Sequence, residues 1–196
     1  SGSLVKSGAG TLILSGANSY SGGTTINAGT LQFTAGGLPS ATVLTVNGGA
    51  LDLNGISSSV TSLSGTGGTI LLGSGTLTVS QAAAGTFAGA ISGTGGLIKN
   101  GAATLTLTGA NNYSGGTTVT AGTLQGDTVS LQGTIANNAA VAFDQTVAGT
   151  YAGVMSGSGS LLKSGAGTLV LSGANNYSGG TTVTAGTLQG DTVSLQ

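Results

Sequence analysis

The 196-residue sequence contains no histidine, cysteine, arginine, glutamate or tryptophan. Histidine, cysteine and glutamate supply much of the metal-binding, acid–base and nucleophilic chemistry of proteins, so their absence removes most routes to catalysis. Three lysines and four aspartates give a net charge of -1, which leaves no basic surface to neutralise the phosphates of a nucleic acid. We therefore predict no catalytic residue, no metal or cofactor site, and no nucleic-acid partner.

Proline occurs once, whereas glycine occurs forty times. The glycines lack the strict every-third spacing of collagen, and 38% hydrophobic residues are enough to bury a core. Glycine, threonine, serine and asparagine disfavour helices, so strands joined by glycine turns are expected. No apolar run approaches the roughly 20 residues of a membrane helix, and the N-terminus lacks the pattern of a signal peptide. Any export signal or membrane anchor is expected outside this segment.

The second half of the chain is repetitive, because residues 109–132 and 173–196 are the same string, GANNYSGGTTVTAGTLQGDTVSLQ. A diverged copy, GANSYSGGTTINAGTLQ, occupies residues 16–32. Each copy follows a similar lead-in that contains a lysine: LVKSGAGTLILS from Leu4, LIKNGAATLTLT from Leu97 and LLKSGAGTLVLS from Leu161. Such self-similarity is typical of solenoids, whose repeats stack to bury one continuous core.

A shorter period appears when one apolar residue per coil is used as a marker. The first set has intervals of about 19 to 20 residues, in the range of solenoid repeats, and comprises Leu12, Leu31, Leu51 and Ile70. The second set has two intervals of about 19 residues and a last one of about 26 residues, and comprises Leu105, Leu124, Phe143 and Leu169. A coil of about 20 residues holds two or three strands of about five residues with tight turns, which is one rung of a β-helix.

The sequence therefore predicts an all-β fold, a right-handed parallel β-helix with about 19–26 residues per coil and three coils per 64-residue repeat. We expect a single β-helical segment over residues 1–196 that belongs to a longer repeat protein. Within it, repeat copies lie near 4–32, 97–132 and 161–196, with connecting coils at 33–96 and 133–160. The widest coil is expected to carry a loop at about 149–159. The final coil, which ends at Gln196, is expected to fray or to associate end to end.

Alternation within strands predicts which side chains point inward. In Thr104–Thr108 and in residues 168–172 every second residue is leucine, so the leucines are expected inside and the threonines outside. Lys6, Lys99 and Lys163 share one repeat position, and we interpret each as an outward, solubilising residue that discourages unwanted edge pairing. Serine–glycine–glycine corners provide residues that accept left-handed backbone angles.

The segment KSGAGTLILSGANSYSGGTTINAGTLQ, which begins at Lys6, and its two later copies resemble the autotransporter-associated β-strand repeat of bacterial type V secreted passenger domains. The resemblance covers about 28 residues in each of three places, a length within the range of known structural repeats. It implies a cell-surface or secreted passenger anchored by an outer-membrane barrel that this sequence lacks. It further implies a structural stalk or adhesive surface, not an enzyme, with host or neighbouring-cell glycans or proteins as possible partners. The family repeat has no catalytic residues to carry over.

Four aspartates leave room for a competing hypothesis, a polysaccharide-acting enzyme on a β-helix scaffold. Asp127 and Asp144 are nearly one coil apart and are the candidate catalytic pair, although solvated turn residues are the simpler interpretation. Asp127 and Asp191 occupy equivalent repeat positions and are expected roughly 14 Å apart, too far for a pair. A calcium-binding β-roll would need an acidic residue in nearly every short repeat, and this sequence lacks that pattern.

Two further surfaces invite a binding interpretation. Aromatic residues recur at Tyr20, Tyr113 and Tyr177, with their hydroxyls expected at the surface, and at a second repeat position shared by Phe87 and Tyr151. They either pack in coil corners or stack on sugars. The threonines of Thr104–Thr108 resemble the flat face of an ice-binding solenoid, but the equivalent positions in the other copies include isoleucine, valine and serine.

Overall fold

The computed structural model describes residues 2–40 and 42–190, and this part of the chain is entirely β-structure and turns. The strands are two to five residues long, as expected where glycine-rich turns recur every few residues. In chain order they are β1 Leu4–Lys6, β2 Thr11–Leu14, β3 Thr24–Ile26, β4 Thr30–Phe33, β5 Val43–Val46, β6 Ala50–Asp52, β7 Ser58–Val60, β8 Ser62–Ser64, β9 Thr69–Leu71, β10 Leu77–Ser80, β11 Gly85–Phe87, β12 Ala90–Ser92, β13 Leu97–Asn100, β14 Thr104–Leu107, β15 Thr117–Val119, β16 Thr123–Gly126, β17 Ile135–Asn137, β18 Ala140–Asp144, β19 Gly149–Tyr151, β20 Met155–Ser156, β21 Ser160–Ser164, β22 Thr168–Leu171, β23 Thr181–Val183 and β24 Thr187–Gln189.

The strands stack in parallel on three sides of a solenoid, which confirms the predicted parallel β-helix. The first side comprises β1-β3-β5-β8 and β11-β14-β16-β18-β21-β23, joined by a bridge between Gly65 and Phe87. The second side comprises β12-β9-β6-β4-β2 and β19-β22-β24. The third side is β20-β17-β15-β13-β10-β7. Nine steps of about 4.8 Å along the first side give a stack about 43 Å long.

The second side continues between β12 and β19 through two segments that are not regular strands, residues 109–113 and 128–133. Asn112 N donates to Ile91 O at 3.0 Å, and Asn111 Nδ2 donates to Ser130 O at 2.8 Å. These bonds carry the stack through the irregular segments, so every coil has a neighbour on this side as well.

The core is a set of inward rows that run along each side. Leu12 pairs with Leu31, Leu31 with Leu51 and Leu51 with Ile70, so the first set of sequence markers is confirmed. The second set is wrong after Leu124, which pairs with Val141, while Phe143 lies opposite Gly126. The error arises because a compact turn at 127–133 makes this coil shorter than its neighbours. Phe143 nevertheless points inward, where its ring lies 5.3 Å from that of Tyr151.

The predicted loop at 149–159 is also wrong. Residues 149–151 and 155–156 form β19 and β20, which continue the second and third sides. The terminal coil is exposed along β23, where Val183 is 45% exposed although the equivalent Val119 is fully buried. End-to-end association stays a prediction, and Gln196 lies outside the described residues.

The 64-residue unit spans three full coils and one strand position of a fourth coil. From Leu97 to Leu161 the chain passes through ten strand positions, with three positions in each coil. Consequently β13 of the second copy lies on the third side, whereas β1 and β21 of the other copies lie on the first side. The ten positions are β13, β14, 109–113, β15, β16, 128–133, β17, β18, β19 and β20.

Candidate functional site

The three repeated lysines point into the solenoid, so their predicted outward orientation is wrong. Lys99 and Lys163 are fully buried and Lys6 is 6% exposed. Lys99 stands in an inward row between Val79 and Val119. The signal was present in the sequence, because each lysine follows a leucine by two residues and strand alternation places both on the same face.

Each lysine ammonium donates hydrogen bonds to three backbone carbonyls from two successive coils. Lys99 Nζ donates to Asn100 O at 3.0 Å and Gly101 O at 2.8 Å in its own coil, and to Ala121 O at 2.9 Å in the next. Lys6 and Lys163 make the equivalent three contacts, with Ala28 O at 3.0 Å and Ala185 O at 3.1 Å as the acceptors in the next coil. We call this arrangement the lysine clip.

A glycine completes each lysine clip where the next coil passes over the ammonium. Gly29, Gly122 and Gly186 have φ values of +68°, +66° and +69°, a region in which residues with a Cβ are strained. A Cβ on Gly29 would also lie 2.5 Å from Lys6 Nζ. The recurrent Ala-Gly-Thr, whose alanine follows the lysine by 22 residues, is therefore the second half of the clip.

The repeated tyrosines close the corner between the two clipped coils. The hydroxyls of Tyr20, Tyr113 and Tyr177 share hydrogen bonds with the threonine hydroxyl four residues later, at 2.9, 2.6 and 2.5 Å. Tyr113 and Tyr177 are 6% and 2% exposed, so corner packing is confirmed for both. Their hydroxyls reach a threonine instead of the predicted surface position, and burial raises the pKa of Tyr113 above its usual value.

The lysine clip holds a charge without an acidic partner. In the described part of the chain no lysine lies within ion-pair distance of an aspartate, and the carbonyl dipoles alone stabilise the ammonium. Burial lowers the pKa of Lys99 below its usual value. The three N–H donors of the ammonium are each paired with a backbone carbonyl, so the clip binds one coil to the next.

The two residues of the candidate acidic pair lie near each other, and the fold holds each carboxylate by hydrogen bonds to neighbouring residues. Asp127 and Asp144 both line a shallow pocket of about 80 Å³. Asp127 Oδ1, however, accepts bonds from Val129 N at 3.0 Å, Ser130 N at 2.9 Å and Ser130 Oγ at 2.9 Å, which makes it the cap of the 127–133 turn. Asp144 is exposed and accepts a bond from Ser164 Oγ at 3.2 Å.

Other acidic positions contribute no cluster. Asp52 accepts bonds from Gln32 Nε2 at 2.6 Å and from Asn54 N at 2.8 Å. Over residues 2–40 and 42–190 no three acidic residues come together as a metal site would require. Asp191 lies outside the described residues.

In the same described ranges, no helix is long and apolar enough to cross a membrane.

The second aromatic position also packs into the core. Phe87 is fully buried and Tyr151 is 2% exposed. The Tyr151 hydroxyl donates to Gly133 O at 2.7 Å, and burial, followed by the nearby Tyr113, raises its pKa. Neither ring offers a face for sugar stacking.

A row of hydroxyls does run along the outside of the first side. Thr106 lies between Thr86 and Gln125 in this row. The residues stacked next to it are therefore not those that occupy the equivalent position in the other copies of the repeat. The row then changes to Ala142 and Leu162. In stacking order it reads Val5, Thr25, Thr45, Ser64, Thr86, Thr106, Gln125, Ala142, Leu162 and Thr182.

Comparison with known proteins identifies the clipped segments. The family model for the passenger-associated-transport-repeat matches residues 4–33, 97–125 and 161–189, and each match runs from the lysine strand to the second strand of the following coil. The chain is 45% identical over 192 residues, or 94% of its length, to the adhesin BmaC autotransporter of Brucella suis biovar 1 (strain 1330). It spans only 5% of that relative's length. No solved structure matches this chain. The segments 4–33, 97–125 and 161–189, each built around a buried lysine, are thus passenger-associated-transport-repeats, and most of the chain is similar to one part of an autotransporter adhesin.

Proposed function

We propose that the chain is a rod-forming spacer of an autotransporter passenger on the outside of a bacterial cell, with no enzymatic activity of its own. The observation that supports this function best is the uninterrupted stack of coils, tied at three places by lysine clips. Inward residues on all three sides are fully or nearly fully buried, as Leu51, Leu105 and Ile135 illustrate. A stack of this kind transmits load along its axis through parallel strand pairing and a continuous core.

The outer surface suits a spacer exposed to water. Its rows consist mainly of threonine, serine and small residues, and only three lysines and four aspartates occur in the whole sequence. Because the lysines are buried, the outer surface carries almost no positive charge. Such a surface has little long-range electrostatic attraction for other molecules, which favours separation of functional parts over capture of a charged ligand.

An adhesive surface is the second candidate, and it is favoured by the similarity to the Brucella relative, which is an adhesin. The hydroxyl row from Thr25 to Thr106 is the described feature that best fits this role, because evenly spaced hydroxyls can exchange hydrogen bonds with a glycan. Its hydroxyls are mostly half-buried rather than presented on long side chains. Contacts of this kind are weak individually, so adhesion by this surface would depend on many coils acting together.

A deletion in the full-length parent protein separates the two roles. Removal of residues 97–160 joins two equivalent repeat positions and shortens the rod by three and one-third coils, about 16 Å. A spacer predicts that surface display and binding of the bacterium to its target cells persist. The matched variant keeps the length but replaces Thr45, Thr86 and Thr106 with alanine. Loss of binding in this variant with unchanged display would favour an adhesive surface and contradict a pure spacer.

The enzyme hypothesis is tested separately. Replacement of Asp127 and Asp144 by asparagine removes the candidate pair, and a panel of polysaccharides is incubated with both proteins. We expect no release of reducing ends by either one. Hydrolysis by the wild type that disappears in the double variant would overturn the non-enzymatic assignment.

A further inference from the structure

Two copies of the repeat contain an asparagine pair whose members face opposite ways. In the second copy Asn111 is buried: its Oδ1 accepts Ile91 N at 2.8 Å and its Nδ2 donates to Ser130 O at 2.8 Å. In the third copy Asn175 is buried and its Oδ1 accepts Met155 N at 2.7 Å. The fold therefore uses the first asparagine of each pair as a substitute for strand pairing.

The second asparagine of each pair has no such structural use. Asn112 and Asn176 are exposed, and no hydrogen bond to either side-chain amide is found in the described part of the chain. Their backbone N–H groups donate to Ile91 O and Met155 O at 3.0 and 2.9 Å, which holds the segment extended against the preceding coil. The side-chain amides are therefore presented outward from a fixed backbone.

A serine follows each outward asparagine by two residues and faces the same way. Ser114 and Ser178 are exposed, and the tyrosine between asparagine and serine points inward. Asparagine–x–serine with x other than proline is the acceptor motif for N-glycosylation, and it occurs at exposed positions of secreted proteins. Of the eleven asparagines in the sequence, only Asn112 and Asn176 stand in this motif.

We propose that Asn112 and Asn176 are N-glycosylation sites, modified by a transferase that uses a phosphate-activated sugar. Asn112 Nδ2 forms a bond to the anomeric carbon while the bond from that carbon to the phosphate oxygen breaks. The phosphate leaving group takes the electron pair, and the amide gives up one proton to a base of the transferase. The donor is either a nucleotide sugar or a lipid-linked oligosaccharide, since both present the same activated carbon.

The first copy of the repeat provides a natural control. It has Ser19 where the other copies have Asn112 and Asn176, so the fold accepts serine at this position and the motif is absent. A sugar at the two later copies would cover the neighbouring Ser-Gly-Gly corners, which are exposed backbone. Because the second and third copies start on different sides, the two sugars would project in directions about a third of a turn apart.

The test is mass spectrometry of protease-derived peptides from protein recovered at the surface of the bacterium that produces it. We expect sugar mass on the peptides that contain Asn112 and Asn176, and none on the peptide with residues 16–23. A single hexose would indicate a nucleotide-sugar donor, whereas a fixed oligosaccharide would indicate a lipid-linked donor. Unmodified Asn112 and Asn176 would overturn the proposal.

A variant made in the same bacterium separates enzymatic recognition from adventitious attachment. Ser114→Ala keeps the acceptor amide but removes the motif, and the exposed serine makes no contact that the fold requires. We expect complete loss of sugar at Asn112 with unchanged modification at Asn176. Sugar that persists at Asn112 in this variant would refute recognition of the motif. The result does not depend on whether the rod is a spacer or an adhesive surface.

Discussion

Replacement of Lys99 by methionine tests whether the lysine clip stabilises the solenoid. Methionine keeps a long unbranched side chain for the core but cannot donate to the carbonyls of Asn100, Gly101 and Ala121, which lie 2.8–3.0 Å from Nζ. Hydrogen bonds from a charged donor contribute roughly 1.5–3 kcal/mol each, an upper limit of about 5–9 kcal/mol for the three. The variant also avoids the cost of burying an ammonium group, and this offsets several kcal/mol of the loss. We expect a net loss of about 1–3 kcal/mol in the free energy of unfolding.

Urea unfolding followed by circular dichroism measures this loss, and amide hydrogen exchange locates it. Exchange should accelerate most at residues 120–122, which lie across the clip from Lys99. The matched control is Asn100→Ser, because Ser7 and Ser164 occupy this position in the other copies and the backbone carbonyl is kept. A Lys99→Met protein at least as stable as the wild type would refute the clip, since it would show that an apolar side chain serves this position equally well.

Three further changes test other parts of the structure. Gly122→Ala should destabilise the fold by about 2–3 kcal/mol in thermal unfolding, since φ is +66° and the new Cβ would lie 2.5 Å from a carbonyl oxygen. The matched control is Gly133→Ala, where φ is +69° but no atom lies close to the new Cβ, and it should cost about 1 kcal/mol in the same measurement. The raised pKa of Tyr151 means that above about pH 10 the unfolded state binds fewer protons than the folded state, so the free energy of unfolding falls as the pH rises. Tyr151→Phe should make this fall less steep. An unchanged slope in urea titrations across pH would contradict this. Asp127→Ala should cost about 1 kcal/mol through loss of the turn cap, whereas Asp144→Ala should be nearly neutral in the same urea assay.

The sequence predicts the architecture because periodicity and composition point the same way. Alternating leucines separated by about one coil predict the stacked rows, and pairing of Leu12, Leu31 and Leu51 follows those spacings. The marker at Phe143 is wrong for a local reason. Asp127 and Ser130 build a compact turn whose length cannot be recognised from apolar spacing alone.

The lysines show where a correct pattern can receive a wrong interpretation. Alternation places Lys99 on the same face as Leu97, but a lone charge is usually assigned to solvent because burial of an unpaired charge is costly. The compensation comes from backbone carbonyls of the same and the next coil, and backbone acceptors leave no trace in side-chain composition. Only the paired recurrence of lysine and the later Ala-Gly could have revealed the clip.

The lysine clip also explains how one sequence can occupy different sides of the solenoid. All its partners lie between one and 22 residues after the lysine, so the clip needs only its own coil and the next one. It is satisfied equally where Lys99 stacks under Val79 on the third side and where Lys163 stacks under Phe143 on the first. Successive copies of the repeat therefore do not have to begin on the same side, and a 64-residue unit of three and one-third coils is compatible with the fold. A repeat whose lysine clip uses only its own residues can begin on any side of the solenoid, provided that the neighbouring inward rows remain apolar.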